Sequence, residues 1–314
     1  MHTLIPYAAP AGPQCQAALA RLQLPGLAML LRLLTPAGQL AGGPEHLSPL
    51  HERVQARLRG WPDVDGLLPW AAAQARDLWG PPAAQADWAW ITPCHWTVHS
   101  DHVAMADPAQ LALAEAESQA FLQAMEPYFL EDCIRLHWQP SGHWLAQGAA
   151  FHALPTASLE RVRGATVDAW MPRQAQAKAL RRLQNEMQML LYTHPLNDAR
   201  ARDKLPTVNA FWVSATGALP AADPQPAAPA CTVWHSLQSA ALRDDASAWV
   251  DAWHALDRDL LPALVERARS GAPLTLTLCG EHLAQTYTLQ HRSLWRRVQQ
   301  RWSAPQPLSV LSTL

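Results

Sequence analysis

Strand-like segments alternate with helical segments along most of this chain. His2 to Tyr7, Val208 to Val213 and Leu274 to Cys279 are rich in strand-forming residues. Between them, the apolar residues of Leu24 to Leu34 and of Gln174 to Tyr192 recur at helical spacing, which predicts amphipathic helices. Such alternation favours an α/β protein with helices flanking a sheet. With 314 residues, 49% of them hydrophobic, the chain is long enough to bury a large core.

One segment departs from this alternation. From about residue 87 to 155 the chain carries strand formers such as "WAWI" and "HWTVHS", and Ile134–Trp138 with His143–Gln147 predicts a hairpin turning at "QPSG". We therefore expect a single α/β domain over residues 1–314 with a β-rich insertion or sub-domain at 87–155. A Pro/Ala-rich stretch at 218–230 predicts a linker, and a further helix is expected from Ala246 to Arg269.

The overall composition excludes several classes of function. The net charge of −2 provides no basic field for nucleic acid, and the small cluster Arg296, Arg297 and Arg301 is expected to be a solvated helix face. The N-terminal residues do not resemble a secretory signal, and each apolar run is too short to span a membrane. The 5 cysteines lack a C-x-x-C pair, which indicates reduced thiols. We expect a cytoplasmic protein that binds neither nucleic acid nor membrane.

The stretch "TPCHWTVHSDH", Thr92 to His102, is a candidate metal site. Pro93 and the neighbouring β formers favour a strand and a polar turn, in which His95 and His99 lie roughly 13 Å apart. Zinc–nitrogen bonds of about 2 Å cannot bridge that distance. The pair that could share an ion is then Asp101 with His102 at the turn, or His99 with Asp101. His95 and Asp101 are also candidate ligand-binding residues.

Glu281 and His282 form a second candidate metal pair. They follow the strand Leu274 to Cys279 and Gly280. In α/β sheets the carboxyl ends of the strands border the ligand crevice. The alternative is an ordinary turn with a partly exposed histidine.

The third candidate is the polar region between Asn185 and Asn209, within "LQNEMQMLLYTHPLNDARARDKLPTVNAFW". Its polar side chains lie between apolar runs and could line a pocket. Helix caps and loop hydrogen bonds use the same residue types without any ligand. The candidate ligand-binding residues are Asn185, Glu186, His194, Asn197 and Asn209.

These segments also carry a family resemblance. Leu180 to Gly217, with "TPCHW", "SDHV" and "DPAQLALAEAES" upstream, resembles the bacterial RpfE-type regulatory protein family. Several members of that family are labelled cofactor-independent phosphoglycerate mutase. The resemblance implies an alkaline-phosphatase-like α/β fold, and it implies that Glu281 and His282 stand where a metal-binding pair belongs.

The chain departs from an active mutase of this type at important positions. The resemblance implies two divalent cations, held by an Asp after the first strand and by later Asp and His residues around a Ser or Thr nucleophile. Here the first strand, "HTLIPYAAP", ends without an acid, and the segment "DDASAWVDAWHALDRDL" offers no Asp-x-x-x-His pair, only charges expected to lie on the surface and His254. Two adjacent cations need several carboxylates. The complete two-metal site is therefore not expected to assemble.

Three functions follow from these observations. The first is a regulatory or ligand-binding protein without mutase activity, whose partner is a small molecule or a protein. The second is a metal-dependent phosphoglycerate mutase or phosphatase with a remodelled site, using Mn²⁺ or Mg²⁺. The third is a protein-interaction module, suggested by 15 tryptophans. Nucleophile-elbow, Walker A, dinucleotide and H-E-x-x-H motifs do not occur.

Overall fold

The computed structural model describes residues 1–220, 231–289 and 306–314. The chain divides into two compact units. Unit 1 comprises Met1–Glu45, Pro49–Gly60 and Pro224–Leu314, and unit 2 comprises His46–Ser48 and Trp61–Asp223. Residues 221–230 of the predicted linker lie outside the described residues, as do Arg296, Arg297 and Arg301.

The described residues form strands and helices that alternate along the chain. The strands are β1 (His2–Ala9), β2 (Thr35–Ala41), β3 (Trp88–Cys94), β4 (Trp96–Val98), β5 (Val103–Met105), β6 (Arg135–His137), β7 (Trp144–Gln147), β8 (Ala210–Gly217), β9 (Cys231–Val233), β10 (Thr275–Gly280) and β11 (Leu283–Thr288). The helices are α1 (Pro13–Ala18), α2 (Pro25–Leu33), α3 (Leu50–Leu58), α4 (Trp70–Trp79), α5 (Glu115–Glu131), α6 (Leu159–Val162), α7 (Lys178–Tyr192), α8 (Pro195–Arg202), α9 (Gln238–Leu242), α10 (Ala246–Asp259), α11 (Leu261–Arg269) and α12 (Pro307–Leu311).

Unit 1 contains a mixed sheet in the order β2-β11-β10-β1-β9. β1 runs parallel to both β9 and β10, whereas β10, β11 and β2 pair antiparallel. Because side chains alternate along a strand, Leu4 and Ile5 point to opposite faces. Ile5 joins a core with α2, α10 and α11, and Leu4 joins a smaller core with Leu50 and Val54 of α3. Helices therefore flank the mixed sheet on both faces, as predicted.

Unit 2 contains a separate antiparallel sheet in the order β6-β7-β3-β8, and a hairpin of β4 and β5. The predicted hairpin of β6 and β7 is confirmed. The apolar face predicted for α7 is also confirmed, since Leu180, Leu183, Met187 and Leu191 are buried. They pack in one core with α5, β3 and β8.

The chain from residue 87 to 155 contains β3 to β7, but their sheet is completed by β8, which begins at Ala210. The predicted domain boundaries stay a prediction. The single helix expected from Ala246 to Arg269 is wrong, because α10 ends at Asp259 and α11 begins at Leu261. Pro262 is in the first turn of α11, where a missing N–H is tolerated, whereas it would interrupt a continuous helix. Among the described helices, none combines the length and the hydropathy needed to cross a bilayer.

Candidate functional site at the carboxyl edge of the mixed sheet

The parallel strands of unit 1 bring three distant parts of the chain to one edge. β9, β1 and β10 are neighbours and run in the same direction, so their carboxyl ends share that edge. Tyr7 lies near the end of β1, His235 follows β9 and Glu281 follows β10. Ligands of open α/β sheets bind outside the carboxyl ends of the strands. This edge is therefore a candidate ligand site.

Tyr7 has an unusual backbone conformation. Its φ of 56° lies in the left-handed region, and the pairing of β1 with β10 is irregular between Ile5 and Ala9. This conformation costs a bulky residue about 1–3 kcal/mol and persists only where the surrounding structure imposes it. The indole N–H groups of Trp249 and Trp253 in α10 donate to the carbonyl oxygens of Tyr7 and Ala8, at 3.1 and 3.2 Å. These bonds hold the irregular end of β1 in place.

Two histidines lie beside Tyr7. His51, in the first turn of α3, is 4% exposed, and its ring centroid is 5.6 Å from that of Tyr7. The exposed ring of His235 meets His51 edge-on, at 6.3 Å and 85°. Nδ1 of His235 lies 3.0 Å from Oε1 of Gln238, which orients the ring. We call Tyr7, His51 and His235 the ring cluster.

The chemistry of the ring cluster is that of hydrogen-bonding groups without negative charge. A phenol and two imidazoles can donate hydrogen bonds to an anionic group, and an imidazole can also move a proton near neutral pH. His51 and the neighbouring Glu52 also place possible metal-ligand atoms within 4.8 Å of each other. Two adjacent cations require several carboxylates. Tyr7 to Pro10, at the end of β1, contain none, whereas Glu52 lies beside His51 and Glu281 follows β10. The absence of the complete two-cation centre of an active mutase stays a prediction.

Glu281 and His282 lie at the same edge of unit 1. The register pairs Ala9 with Gly280, so Glu281 follows beside the end of β1. His282 is exposed, and its backbone N–H donates to the Leu314 oxygen at 2.7 Å. A Cβ added to Gly280 would lie 2.6 Å from the Leu314 backbone, so this close approach requires glycine. The role of the pair as metal ligands stays a prediction.

Asp101 and His102 form the turn of a hairpin in unit 2. Within the segment "HWTVHS", predicted as a strand before this turn, β4 ends at Val98, and β5 returns from Val103. Asp101 Oδ1 is 2.7 Å from Nδ1 of His102, and the rings of His99 and His102 stack at 4.6 Å. The hydrogen bond from His102 is the main cause that lowers the pKa of Asp101. The predicted turn is confirmed, and Asp101 and His102 as metal ligands stay a prediction.

His95 and Asn209 come together in unit 2. Nδ1 of His95 lies 2.8 Å from the Thr207 carbonyl oxygen. The Asn209 side chain accepts from the Trp96 backbone N–H at 2.7 Å and donates to the Trp96 oxygen at 2.8 Å. These contacts tie the start of β4 to the segment before β8.

Asn197 and His194 bind the backbone around α8. The Asn197 side chain is buried, donates to the carbonyls of Leu191 and Val208 at 2.8 and 2.7 Å, and accepts from the Val208 N–H at 2.9 Å. Nδ1 of His194 caps α8 by accepting from the Leu196 N–H at 3.3 Å. For this polar region, the alternative to a ligand pocket was a set of helix caps and loop hydrogen bonds, and these contacts are of that kind.

Asn185 and Glu186 lie elsewhere on unit 2, on α7. Asn185 is exposed, and Glu186 is 3.4 Å from Arg182 in an i,i+4 ion pair. The ligand-binding role of Asn185 and Glu186 stays a prediction.

Sequence reasoning missed the ring cluster. Tyr7 stands at the end of the predicted strand His2 to Tyr7, so the argument used for Glu281 could have selected it. That argument could not show that β1, β9 and β10 are parallel neighbours, because their pairing joins residues more than 200 positions apart. No motif or pattern in the sequence around His51 indicated a functional role for this residue.

Solved structures similar to this chain include a protein of Pyrococcus horikoshii and one of Thermoplasma acidophilum. No family model matches the chain, and no curated protein matches it. The PH0037 protein of Pyrococcus horikoshii aligns with a TM-score of 0.48 and 12% identity, over 92% of this chain and 87% of that chain. The cofactor-independent phosphoglycerate mutase of Thermoplasma acidophilum aligns with a TM-score of 0.34 and 14% identity, over 100% of this chain and 98% of that chain. Membership of the RpfE-type family stays a prediction.

Proposed function

We propose that this chain is a regulatory or ligand-binding protein, distantly related to cofactor-independent phosphoglycerate mutase, that lacks the complete two-metal site. Its ligand is a small molecule with a phosphate or carboxylate group, held at the ring cluster. The observation that carries the proposal is the position of Tyr7, His51 and His235 at the carboxyl edge, where β1 ends without a carboxylate.

The hydrogen-bond donors of the ring cluster favour an anionic group as the ligand. Imidazole and phenol donors bind anionic oxygens, and such bonds are stronger than those between neutral groups. The buried position of His51 strengthens its interactions, since the effective dielectric is low there. A cytoplasmic location is part of the proposal, supported by 5 free cysteines: Cys15, Cys94, Cys133, Cys231 and Cys279.

The first experiment measures 3-phosphoglycerate binding by calorimetry and its turnover with added Mn²⁺ or Mg²⁺. We expect binding without turnover, weakened at least fivefold in His51→Gln and in His235→Gln. His152→Gln, which changes an exposed histidine of unit 2, is the matched control and should bind normally. Interconversion of phosphoglycerates at enzymatic rates would overturn the proposal. If His51→Gln and His235→Gln bind 3-phosphoglycerate as tightly as the wild-type chain does, the ligand does not bind at this edge.

The alternative functions have their own measurements. A remodelled metal enzyme using Asp101, His102, Glu281 or His282 predicts a tightly bound divalent cation that raises the melting temperature, which elemental analysis and thermal melts would reveal. An interaction module predicts exposed indoles. Trp79 is 46% exposed, whereas the largest fully buried side chains of the described chain include Trp144, Trp212, Trp249 and Trp253. That burial gives the interaction module less support than a ligand-binding protein.

A further inference from the structure

A cavity of about 400 Å³ lies between α3 and the mixed sheet of unit 1. Ligand sites in proteins typically measure about 300–1,000 Å³. Its lining includes His2 and Thr275, at the amino-terminal starts of β1 and β10, whereas the ring cluster lies at the carboxyl edge. We call it the α3 cavity.

The face of the sheet under α3 changes from apolar to polar along the strands. The apolar residues of this face pack in one small core with α3, and they are Leu4, Leu40 and Ala284. Two residues away along the same strands, and on the same face, stand three residues that line the cavity: His2, Gly38 and Thr286. The sheet therefore presents polar groups to the cavity where the apolar core ends.

A series of hydrogen bonds runs through this polar floor. Nε2 of His2 lies 2.8 Å from Oγ1 of Thr277, which lies 2.9 Å from Oγ1 of Thr286. Thr277 is fully buried, whereas His2 and Thr286, the two ends of the series, both line the cavity. Within the part of the protein that the structure describes, Nδ1 of His2 has no hydrogen-bond partner. We call these three residues the floor network.

The floor network offers one donor and one acceptor to a ligand, whichever way its hydrogen bonds run. Burial is the main cause that lowers the pKa of His2, so its ring is neutral and carries a single N–H. Thr277 donates its one hydroxyl proton to one neighbour and accepts from the other. If Nε2 of His2 carries the proton, the Thr286 hydroxyl donates into the cavity and Nδ1 accepts. If Nδ1 carries the proton, Nδ1 donates and the Thr286 oxygen accepts.

The rest of the lining indicates a neutral, partly apolar ligand. No carboxylate occurs among the described residues that line the cavity. Arg57 is exposed and already interacts with another group of the protein, so it offers no open charge to a ligand. The remaining wall is largely aliphatic and includes Leu40, Val54, Leu58 and Ala284.

A carboxamide matches both ends of the floor network. It carries an N–H donor and a carbonyl acceptor on two different atoms, without a net charge. A carboxylate lacks the donor, and an ammonium group lacks the acceptor. A short alkyl chain attached to the carboxamide would cover the aliphatic wall.

We propose that the α3 cavity is a second ligand site, distinct from the ring cluster, that binds a small neutral aliphatic carboxamide. Hexanamide is the probe, and for a ligand of its size we expect a Kd on the order of 0.1–1 mM. 2-Heptanone has a methyl group in place of the amide NH₂, and hexanoate has a carboxylate. Both should bind at least fivefold more weakly, because each leaves one end of the floor network without a partner.

Thr286→Val tests the floor network. It removes the hydroxyl at one end with little change of volume, so the difference in affinity between hexanamide and 2-heptanone should fall below about twofold. Thr288→Val changes the next threonine on the same face of β11, outside the lining, and should leave the difference unchanged.

Gly38→Phe tests the location of hexanamide binding. A Cβ added to Gly38 would meet no atom within 4 Å, and the backbone conformation there is not one that requires glycine. The phenyl ring should fill the cavity and lower hexanamide affinity at least tenfold. Ala41→Phe, at another exposed position of β2 outside the lining, is its matched control.

Binding is measured by calorimetry and by ligand-observed NMR, and far-UV circular dichroism checks that the four variants fold. Unaltered hexanamide binding in Gly38→Phe would overturn the location, and if that variant does not fold, Thr286→Val still tests the site. The ligand class would be wrong if hexanoate or 2-heptanone bound the wild-type chain as tightly as hexanamide, or if Thr286→Val kept the preference. Failure of the wild-type chain to bind millimolar hexanamide would overturn the whole proposal.

Discussion

The surroundings of His143 disfavour the protonated, charged form of its imidazole ring. It immediately precedes β7, and its ring centroid is 4.6 Å from that of Trp90. Its Nε2 lies 3.0 Å from Oε1 of Gln74, which also accepts from the Trp90 indole N–H at 2.6 Å. Because the Gln74 oxygen is an acceptor, Nε2 of His143 carries a proton in the neutral ring. Burial lowers the pKa of His143 to about 4.

The depressed pKa predicts a pH-dependent stability. Between the unfolded value of 6.5 and the folded value of about 4, the unfolded chain binds more protons, so the free energy of unfolding falls as the pH falls through this window. Between pH 7.5 and pH 5 the loss from His143 is on the order of 2 kcal/mol. Urea unfolding at both pH values measures it.

His143→Gln should remove this part of the pH dependence and leave the rest. His152→Gln is the control, because the His152 side chain is 77% exposed. Equal pH dependence in wild type and His143→Gln would contradict the assignment of the buried neutral ring.

At the scale of elements, a side chain of α10 caps the amino-terminal end of α2. Asp257 of α10 accepts from the backbone N–H groups of Gly26 and Leu27, at 2.9 and 2.8 Å. Asp257 is 7% exposed, so the prediction that the charges of this segment lie on the surface is wrong here. The carboxylate satisfies two N–H groups that the first turn of a helix leaves free, and its charge is favourable at that helix end.

Removing this cap should destabilise unit 1. Asp257→Ala leaves two N–H groups in a largely buried position, and we expect a loss of about 2 kcal/mol in the free energy of unfolding. Asp259→Ala is the control, because its carboxylate is 64% exposed and pairs with Arg258 on the surface. Urea titration followed by circular dichroism compares the two, and similar midpoints would argue against the cap.

Arg200 joins three segments of unit 2. It is 1% exposed and donates to the Pro206 oxygen at 2.8 Å, to the Leu111 oxygen and to Glu117 at 2.9 Å. The bonds link α8 to the segment before β8 and to the start of α5. A guanidinium suits this position because its planar donors reach several acceptors at once.

Arg200→Met keeps much of the volume but leaves these acceptors without their donor. We expect a loss of about 3–5 kcal/mol in the free energy of unfolding, as for breaking other buried charge pairs. Arg202→Met, on the same helix but exposed, should change stability by less than about 0.5 kcal/mol. Thermal melts of the two variants provide the measurement; a small loss in Arg200→Met would show that water replaces the guanidinium.

Elements whose evidence is local could be predicted from the sequence. The apolar spacing of α7 and the β6–β7 hairpin depend on neighbouring residues, and both are present. The break between α10 and α11 could have been predicted from Pro262, which the periodicity of the flanking residues obscured. The left-handed Tyr7 could not, because nothing in a tyrosine indicates that conformation and the bonds that hold it come from Trp249 and Trp253.

At the scale of the whole molecule, the difficulty is that sites are assembled across the chain. Sequence reasoning grouped residues that are close in number, such as those between His95 and His102 or between His194 and Asn209. Those groups formed local turns and backbone hydrogen bonds. The ring cluster instead draws on residues 7, 51 and 235, and a mixed sheet with parallel pairing brings them together. Composition and periodicity do not show which strands pair with each other or in which register.

The reactivity of the cysteine thiols reports on the burial of both units in one measurement. Cys15 and Cys279 lie buried in unit 1 and Cys94 in unit 2, whereas Cys133 is exposed. Burial raises the pKa of Cys15 to about 12 and that of Cys231 to about 11, so the reactive thiolate is scarce at both. Burial also raises the pKa of Cys94 and Cys279.

A native chain at pH 7.5 should therefore show a single fast-reacting thiol towards a disulfide reagent, and a chain in urea should show all 5. Cys133→Ser should abolish the fast phase and leave 4 thiols after unfolding, because the other cysteines are Cys15, Cys94, Cys231 and Cys279. A second fast thiol in the native chain would mean that one of these four is far more accessible than its burial implies. Its identity, found by peptide mapping, would show which unit opens, since Cys94 belongs to unit 2 and the other three to unit 1.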